Sequence, residues 1–288
     1  CVTLNINMIY SRISGTFFLS GLYTSSLTLS AAAGRQLRFI QDTTSTSSPP
    51  DFDYYIYSMS FQPEFCRHHS GCSFDKESSE VYPGCMDPDP IWRYSLTIHG
   101  LWPQYTDGTW PSYCDPYPPF DPSTATTVGL SNLERLWPNV KYDAPLDPSA
   151  VPSPPYTDFW DHEWTKHGSC SGLSQVQYFE TALNAFVETP NVVRENYGRS
   201  MPLEELMDAY ALDGGNVAPG VGAMVVCEGG NLLSEVRLCL GKGEDGLPTG
   251  RIGCPQETII RGQSCDNTVT IPNFDVDKTD CAKMKMTA

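Results

Sequence analysis

The sequence predicts an α+β domain in which an antiparallel β-sheet core is flanked by several α-helices and stabilised by disulfides. Strand-like and helix-like apolar periodicities are mixed along residues 52–275, which we interpret as one domain. The chain also contains eleven cysteines that are not grouped as C-x-x-C pairs. This pattern favours disulfides over structural zinc and indicates an oxidising compartment.

Strands are predicted where apolar side chains alternate with period two. Four runs have this character: 53–61 (DYYIYSMSF), 92–98 (WRYSLTI), 221–227 (VGAMVVC) and 232–240 (LLSEVRLCL). The second run leads directly into His99. Gly229 and Gly230 separate the last two runs, which is typical of a β-hairpin.

Helices are predicted in three segments between these strands. The first covers 128–137 and ends before Pro138. The last begins at Pro202 and ends at Gly214 and Gly215. Between them, a helix follows Ser174, which forms a capping-box signature with Gln177. Its apolar stripe predicts a core-facing helix: Val176, Phe179, Leu183, Phe186 and Val187. Residues 143–156 contain five prolines and no periodicity, which predicts a surface loop.

The ends of the chain have a different character. Residues 1–33 are interpreted as a secretory signal peptide, although residues 1–7 precede Met8 and could be spurious; a plastid transit peptide is the alternative. Its apolar run is interrupted by hydroxyl residues, so no membrane span is expected. Residues 34–51 are predicted to be a disordered linker and 276–288 a C-terminal tail. A secreted or lumenal location follows, in the extracellular space, a vacuole or a lysosome-like organelle.

The charge of the chain limits its partners. Thirty-four acidic residues against 18 basic ones give a formal net charge of −16. Such a chain repels the phosphate backbone, so a stable, non-specific complex with nucleic acid is not expected. A small, locally positive site that acts on nucleic acid remains compatible with this charge.

Residues 159–170, FWDHEWTKHGSC, contain two of the five histidines. His162 and His167 are five positions apart, which on a helix separates them by roughly 140° and makes shared metal binding unfavourable. Glu163 and His167 are four apart and share a helix face, as do His162 and Lys166. This arrangement argues against a metalloprotease, and no metal or other cofactor is expected.

RNA cleavage without a metal would suit these residue types. It requires a base for the 2′-hydroxyl proton, an acid for the departing 5′-oxygen and cations near the phosphorus. Imidazoles, whose ordinary pKa is near 6.5, can act as both acid and base. A lysine and a further imidazole can stabilise the developing negative charge.

Two segments carry a resemblance to a known family. Residues 97–103, TIHGLWP, and 159–170, FWDHEWTKHGSC, resemble the two active-site segments of the ribonuclease T2 family of acid endoribonucleases. The resemblance extends from about residue 54 to about 274 and implies cleavage of single-stranded RNA through a 2′,3′-cyclic phosphate to 3′-phosphate ends. It implies that His167 is the general base, His99 the general acid and His162 the phosphate-holding residue. Glu163 and Lys166 would support the charged transition state.

The same resemblance implies a base-binding surface. Trp102 and Trp110 occupy the positions at which family members stack a base. Gln104 stands where many relatives have aspartate, and Trp110 where they often have tyrosine. Because an amide can both donate and accept hydrogen bonds, whereas a carboxylate only accepts them, we expect low base specificity.

Disulfide pairs are also implied by the resemblance: Cys66 with Cys72, Cys114 with Cys170, Cys227 with Cys265, and Cys239 with Cys254. Cys85 lacks the partner that plant relatives provide after the helix that ends in LWPN. The pairing of Cys1, Cys85 and Cys281 stays open.

A second class of function is a catalytically silent binding or storage protein on the same fold. Loss of a catalytic histidine would favour it, and none is lost. We expect a monomer whose partner is single-stranded RNA.

Overall fold

The computed structural model describes residues 51–68, 82–147, 149–211 and 222–274. The predicted signal peptide, nearly all of the predicted linker and the C-terminal tail lie outside these residues, as do Gly214 and Gly215. Cys1, Cys72 and Cys281 also lie outside them. Within the described part, no helix is long and apolar enough to cross a membrane.

Seven strands of the described residues form one sheet. They are β1 (Tyr54–Ser60), β2 (Thr97–Gln104), β3 (Ser200–Pro202), β4 (Met224–Glu228), β5 (Leu232–Lys242), β6 (Pro248–Ile252) and β7 (Thr268–Thr270). Strand β5 is the centre of the sheet, since it pairs with β1 and also with β4 and β6. β2 lies beyond β1 at the edge of the sheet. Pro103, which has no backbone N–H to donate, is tolerated in such an edge strand.

The sheet is mixed, so the prediction of an antiparallel sheet was correct for most pairs and wrong for one. β7 runs parallel to β5, with Leu232 opposite Thr270, and is itself antiparallel to β3. A parallel pair requires a crossover connection. Here the segment between β6 and β7 contains a helix, Gln256–Gly262, which carries the chain back before β7 begins.

The helices of the described residues surround this sheet. They are α1 (Gln62–Phe65), α2 (Pro83–Met86), α3 (Ser123–Val128), α4 (Leu130–Leu136), α5 (Asp158–Lys166), α6 (Gln175–Asn184), α7 (Asn191–Glu195), α8 (Leu203–Ala209) and α9 (Gln256–Gly262). The capping box at Ser174 is present and begins α6. The helix ends at Asn184, so Phe186 and Val187 lie beyond it, and its most buried residues are Tyr178, Phe179 and Ala182.

The main core lies between one face of the sheet and α4 and α6. Tyr57 of β1 donates a hydrogen bond to the Ala182 carbonyl (3.0 Å), and Tyr178 donates one to the Leu101 carbonyl of β2 (2.9 Å). Trp137, directly after α4, is fully buried against Phe179. Buried aromatic side chains thus attach the helices to the two strands next to the site.

The strand predicted over 92–98 is displaced in the structure. Pro90–Arg93 forms a 3₁₀ turn, in which the Asp89 carboxylate accepts a hydrogen bond from the Ile91 amide (2.8 Å), and the strand begins only at Thr97. An Asp-Pro pair favours such a turn over a strand. The prediction was therefore wrong before Thr97, and His99 lies within the strand and not after it.

The structure contains the disulfides Cys114–Cys170, Cys227–Cys265 and Cys239–Cys254, which are three of the pairs that the resemblance implied. The fourth implied pair is wrong, because Cys66 is bonded to Cys85. These two cysteines share a small buried cluster with Tyr82 and Trp92, and their Cα atoms are 5.2 Å apart. Cys85 therefore has a partner.

Replacing Ser174 with alanine should destabilise the domain, because the Ser174 hydroxyl accepts a hydrogen bond from the Gln177 amide at the start of α6. We expect the free energy of unfolding to fall by about 1 kcal/mol, measured by chemical denaturation under oxidising conditions. Ser131→Ala, at an exposed position inside α4, is the matched control and should change it far less. Equal effects of both substitutions would contradict this role of the cap.

Candidate active site

A β-bulge in β2 sets the direction of the side chains at the site. Gly100 pairs with Ser58 and Ile98 with Met59, so that His99 is the extra residue between two consecutive pairs. Because of this irregularity, Ile98 and Leu101 are both buried in the core although they are three residues apart. His99 and Trp102 are partly exposed and line the same cavity.

Helix α5 is held against the core by two tryptophans. Trp160 and Trp164, four residues apart, are almost completely buried. Their indole N–H groups donate hydrogen bonds to the Trp137 carbonyl and the Pro118 carbonyl, each at 2.9 Å. The remaining faces of the helix are then set by its 3.6-residue period: Glu163 is buried beside β2, and His162 is exposed.

Glu163 joins α5 to β2. Its side chain is only 1% exposed, and its carboxylate accepts a hydrogen bond from the Trp102 indole at 2.8 Å. His99 Nε2 is 3.6 Å from the other carboxylate oxygen. A Cβ atom at Gly100 would lie 2.1 Å from Glu163 Oε2, so only glycine leaves room for this contact.

His167, the residue that ends α5, is buried and stacks on Trp102. The two ring centroids are 5.1 Å apart with an interplanar angle of 30°. Trp102 also has the Arg237 guanidinium 5.3 Å from its ring centroid. The tryptophan predicted to stack a base therefore packs against two site residues and holds Glu163 as well.

Two charged residues of β5 complete the surroundings of His99. His99 Nδ1 is 2.7 Å from Glu235 Oε1, and the other Glu235 oxygen is 2.7 Å from Arg237 Nη2. Sequence reasoning missed both residues because they are more than 60 positions from the histidine motifs. A signal was present: in LLSEVRLCL, Glu235 and Arg237 are the charged positions on one face of an otherwise apolar strand.

All eight predicted catalytic and base-binding residues line one cavity of about 540 Å³. Gln104 is buried at its wall, whereas Trp110 is 53% exposed at its rim. Arg237 and Arg261 also line it, so three basic side chains, with Lys166, face this space in an acidic chain. The complete predicted set is His99, Trp102, Gln104, Trp110, His162, Glu163, Lys166 and His167.

The segment that carries Trp110 is tied to the end of α5. The Cys114–Cys170 disulfide joins them, and the Tyr113 amide donates a hydrogen bond to the Lys166 carbonyl (3.0 Å). A smaller cavity of about 220 Å³ borders the other residues near His99, including Phe159, Glu235 and Lys141. The site therefore offers space next to His99 in two cavities.

His99 and Glu235 shift each other's ionisation. Burial would lower the pKa of His99, but the hydrogen bond and negative charge of Glu235 outweigh it and raise that pKa above its ordinary value. Burial would raise the pKa of Glu235, but the hydrogen bond from His99 and the charges of His99 and Arg237 hold it at about 2. The pair therefore favours an imidazolium next to a carboxylate.

In the segment of α5 and His167, the histidine pKa values are lowered and the glutamate pKa is raised, which is the reverse of the pair His99 and Glu235. Burial and the positive charge of Lys166 lower the pKa of His167 to about 3, and the same two causes lower the pKa of His162. Burial raises the pKa of Glu163 to about 7 against the opposing effects of His99 and Trp102. The cavity thus contains one imidazole that favours its charged form and one that stays neutral.

No group of three or more His, Cys, Asp or Glu side chains in the described part of the chain is arranged to hold a metal ion. Glu235 instead pairs with the His99 imidazole, and Glu163 accepts a hydrogen bond from the Trp102 indole. A carboxylate paired with an imidazole can orient and transfer a proton.

Comparisons with known proteins agree on one family. Residues 52–247 match the Ribonuclease T2 family. Ribonuclease 1 of Arabidopsis thaliana is 31% identical over 80% of this chain and 91% of its own length. Intracellular ribonuclease LX of Solanum lycopersicum is 29% identical over 78% and 85%. The crystal structure of RNase NT in complex with 5′-AMP superposes with a TM-score of 0.52 at 27% identity, covering 78% of this chain and all of that one.

Gly100→Ala should disrupt the contact between α5 and β2. The added methyl group would meet the Glu163 carboxylate and the Trp102 indole, which lie 2.1 and 2.2 Å from the ideal Cβ position. We expect the free energy of unfolding to fall by about 1–3 kcal/mol, the usual cost of overpacking. Thermal unfolding followed by tryptophan fluorescence measures it. Wild-type stability together with unchanged fluorescence would show that this glycine is not required.

Proposed function

This chain belongs to the ribonuclease T2 family, and we propose that it is a secretory-pathway endoribonuclease that cleaves single-stranded RNA by transphosphorylation without a metal ion. The products would carry a 2′,3′-cyclic phosphate that is slowly opened to a 3′-phosphate. One observation carries this proposal: a single cavity contains a histidine that favours the protonated state, His99, and one that stays neutral, His167. An acid and a base are thus available at the same pH.

In the proposed first step, neutral His167 accepts the proton of the ribose 2′-hydroxyl. The 2′-oxygen forms a bond to phosphorus, the bond from phosphorus to the 5′-oxygen breaks, and protonated His99 gives its proton to that leaving oxygen. In the second step neutral His99 accepts a proton from water and the water oxygen forms a bond to phosphorus. The bond from phosphorus to the 2′-oxygen breaks, and protonated His167 returns its proton to that oxygen. Protons and bonds balance in both steps, so no covalent enzyme intermediate or cofactor is needed.

The cations of the cavity would stabilise the charge that develops on the phosphoryl oxygens. We assign His162 to hold the phosphate, with Lys166 beside it one helical turn further on. Glu163, whose pKa is about 7, would be mostly protonated at acidic pH and could then donate a hydrogen bond to a phosphoryl oxygen. Arg237 and Arg261 extend the positive surface toward the rest of the RNA.

Base recognition would depend mainly on stacking. Trp110 offers an exposed ring at the rim of the cavity, and Trp102 lies deeper. Stacking accepts every base, and the Gln104 amide can pair with donors or acceptors, so we propose low base specificity. The two cavities that border His99 support binding of nucleotides on both sides of the cleaved bond.

We further propose that residues 1–33 direct the chain to a secreted or lumenal location, that 52–275 form the catalytic domain, and that it acts as a monomer. The disulfides of the described residues support an oxidising compartment. The net charge of −16 supports brief encounters with RNA and not a stable complex.

The direct test is cleavage of a short single-stranded RNA in excess EDTA, with the product ends identified by mass spectrometry. The wild type should yield 2′,3′-cyclic phosphate ends first. His99→Ala and His167→Ala should each lower kcat by about 10²- to 10⁴-fold, because each removes one proton-transfer group. Asp161→Asn, at an exposed position of the same helix, should leave kcat unchanged.

Two results would contradict this proposal in different ways. Cleavage that EDTA abolishes would exclude the metal-free mechanism. Intact RNA with folded, oxidised wild-type protein would instead support a catalytically silent binding or storage protein.

The rate should depend on pH in a bell-shaped manner with an acidic optimum. His167 loses its role as base only when pH falls toward its pKa of about 3. On the alkaline side, His162 loses its charge below the ordinary pKa of 6.5, because its pKa is lowered, and His99 loses its proton above 6.5. Measuring kcat from pH 3 to 9 checks this, and a flat profile would rule out the assignment.

A further inference from the structure

We propose that Glu235 is the positioning residue for His99: its carboxylate holds the Nδ1 proton of the imidazole and thereby directs the Nε2 proton toward the scissile phosphate. This inference rests on the proposed function, since it presupposes that His99 is the acid. It adds a third element, strand β5, to a site otherwise built from β2 and α5.

The geometry separates the two oxygens of the carboxylate. Glu235 Oε1 is 2.7 Å from His99 Nδ1. Oε2 accepts hydrogen bonds from Arg237 Nε at 2.8 Å and from the Ser58 hydroxyl at 3.1 Å. Three donors on β1, β2 and β5 therefore fix the carboxylate, and its side chain is only 12% exposed. A carboxylate held in this way has one oxygen left for the histidine.

The backbone beneath Glu235 is equally constrained. Glu235 pairs with Ser60 of β1 on one side of β5 and with Val226 of β4 on the other. Val236, the next residue, is fully buried on the opposite face of the sheet. Because β5 is paired on both edges here, the carboxylate is placed by the rigid centre of the sheet and not by a loop.

An ionised carboxylate can only accept hydrogen bonds, so Nδ1 must carry a proton in this contact. The proton that His99 can give up is then on Nε2, which faces the cavity and lies 3.6 Å from Glu163. Once Nε2 has transferred this proton, the same contact holds the neutral imidazole in the tautomer that can accept a proton in the second step.

Glu163 is less suited to this function, although it also faces His99. Its contact to His99 is longer, and its pKa of about 7 leaves it mostly neutral at acidic pH. Glu235, with a pKa of about 2, stays ionised throughout that range. The charged and titratable groups around His99 are Glu235 and Arg237 from β5, and His162, Glu163, Lys166 and His167 from α5.

The test is Glu235→Gln, which keeps the shape and a hydrogen-bond acceptor but removes the charge. The His99 pKa is measured by NMR titration of the imidazole protons without RNA, and His99→Gln identifies its signals among the five histidines. We expect this pKa to fall by about one unit or more. Because His162 begins the alkaline limb of the kcat profile, only the second part of that limb, which His99 controls, should move to lower pH, with KM changed less than about threefold. Glu228→Gln, an exposed acid on β4, is the matched control and should change neither.

Arg237→Gln is expected to shift the His99 pKa in the opposite direction, because Arg237 lowers that pKa. In that variant the His99 pKa should rise, and the part of the alkaline limb that His99 controls should move to higher pH. An ion pair that serves only stability would leave the kcat profile in place in both variants. Should Glu235→Gln fail to fold, Arg237→Gln and Glu235→Asp still decide: in Glu235→Asp, which keeps the charge, the His99 pKa should stay above 6.5.

Failure of this inference is distinguishable from failure of the proposed function. Wild-type cleavage together with a His99 pKa and an alkaline limb unchanged in folded Glu235→Gln would overturn the positioning role alone. Absence of wild-type cleavage would overturn the function, and with it the catalytic meaning of the contact, whatever the NMR titration shows.

Discussion

The buried carboxylate of Glu163 is the constraint on which the arrangement of the site depends. A buried acid is costly unless its oxygens are satisfied, and here the Trp102 indole and the nearby His99 ring provide the contacts. Both partners come from β2, so α5 must pack directly against that strand. Gly100 permits this distance because it has no side chain. Two buried tryptophans on the neighbouring face of α5 contribute the apolar burial that offsets the cost.

The bulge at His99 determines to which face of the sheet the side chains of β2 point. A regular strand would place alternate residues on opposite faces, so that Ile98 and Leu101 could not both enter the core. With the extra residue, both are buried, and His99 joins Trp102 on the cavity side. The histidine is therefore at the one place in β2 where the backbone departs from a regular ladder.

Sequence patterns predicted the part of this molecule that depends on neighbouring residues. The capping box at Ser174 and the late hairpin depend on local spacing. The grouping of the two distant histidine motifs in one cavity was expected only from the resemblance to a family. What the patterns missed depends on contacts between distant segments. Glu235 meets His99 only because β1 pairs with both β2 and β5, and Cys66 meets Cys85 only because the two lie in one buried cluster. The strand predicted over 92–98 was displaced because an Asp-Pro turn overrides a short apolar alternation.

The environments of His99 and His167 give identical side chains in one cavity the opposite protonation states that the proposed reaction requires. Both are desolvated, which by itself would keep both neutral. The two rings differ in their charged neighbours. His99 lies next to a carboxylate that stays ionised, whereas His167 lies near an ammonium and other imidazoles. The same reasoning applies to the whole chain. Its net charge of −16 describes the average surface, but the cavity is lined by Lys166, Arg237 and Arg261. A few placed charges therefore determine what the site can bind, and the overall charge influences only how the substrate approaches and leaves.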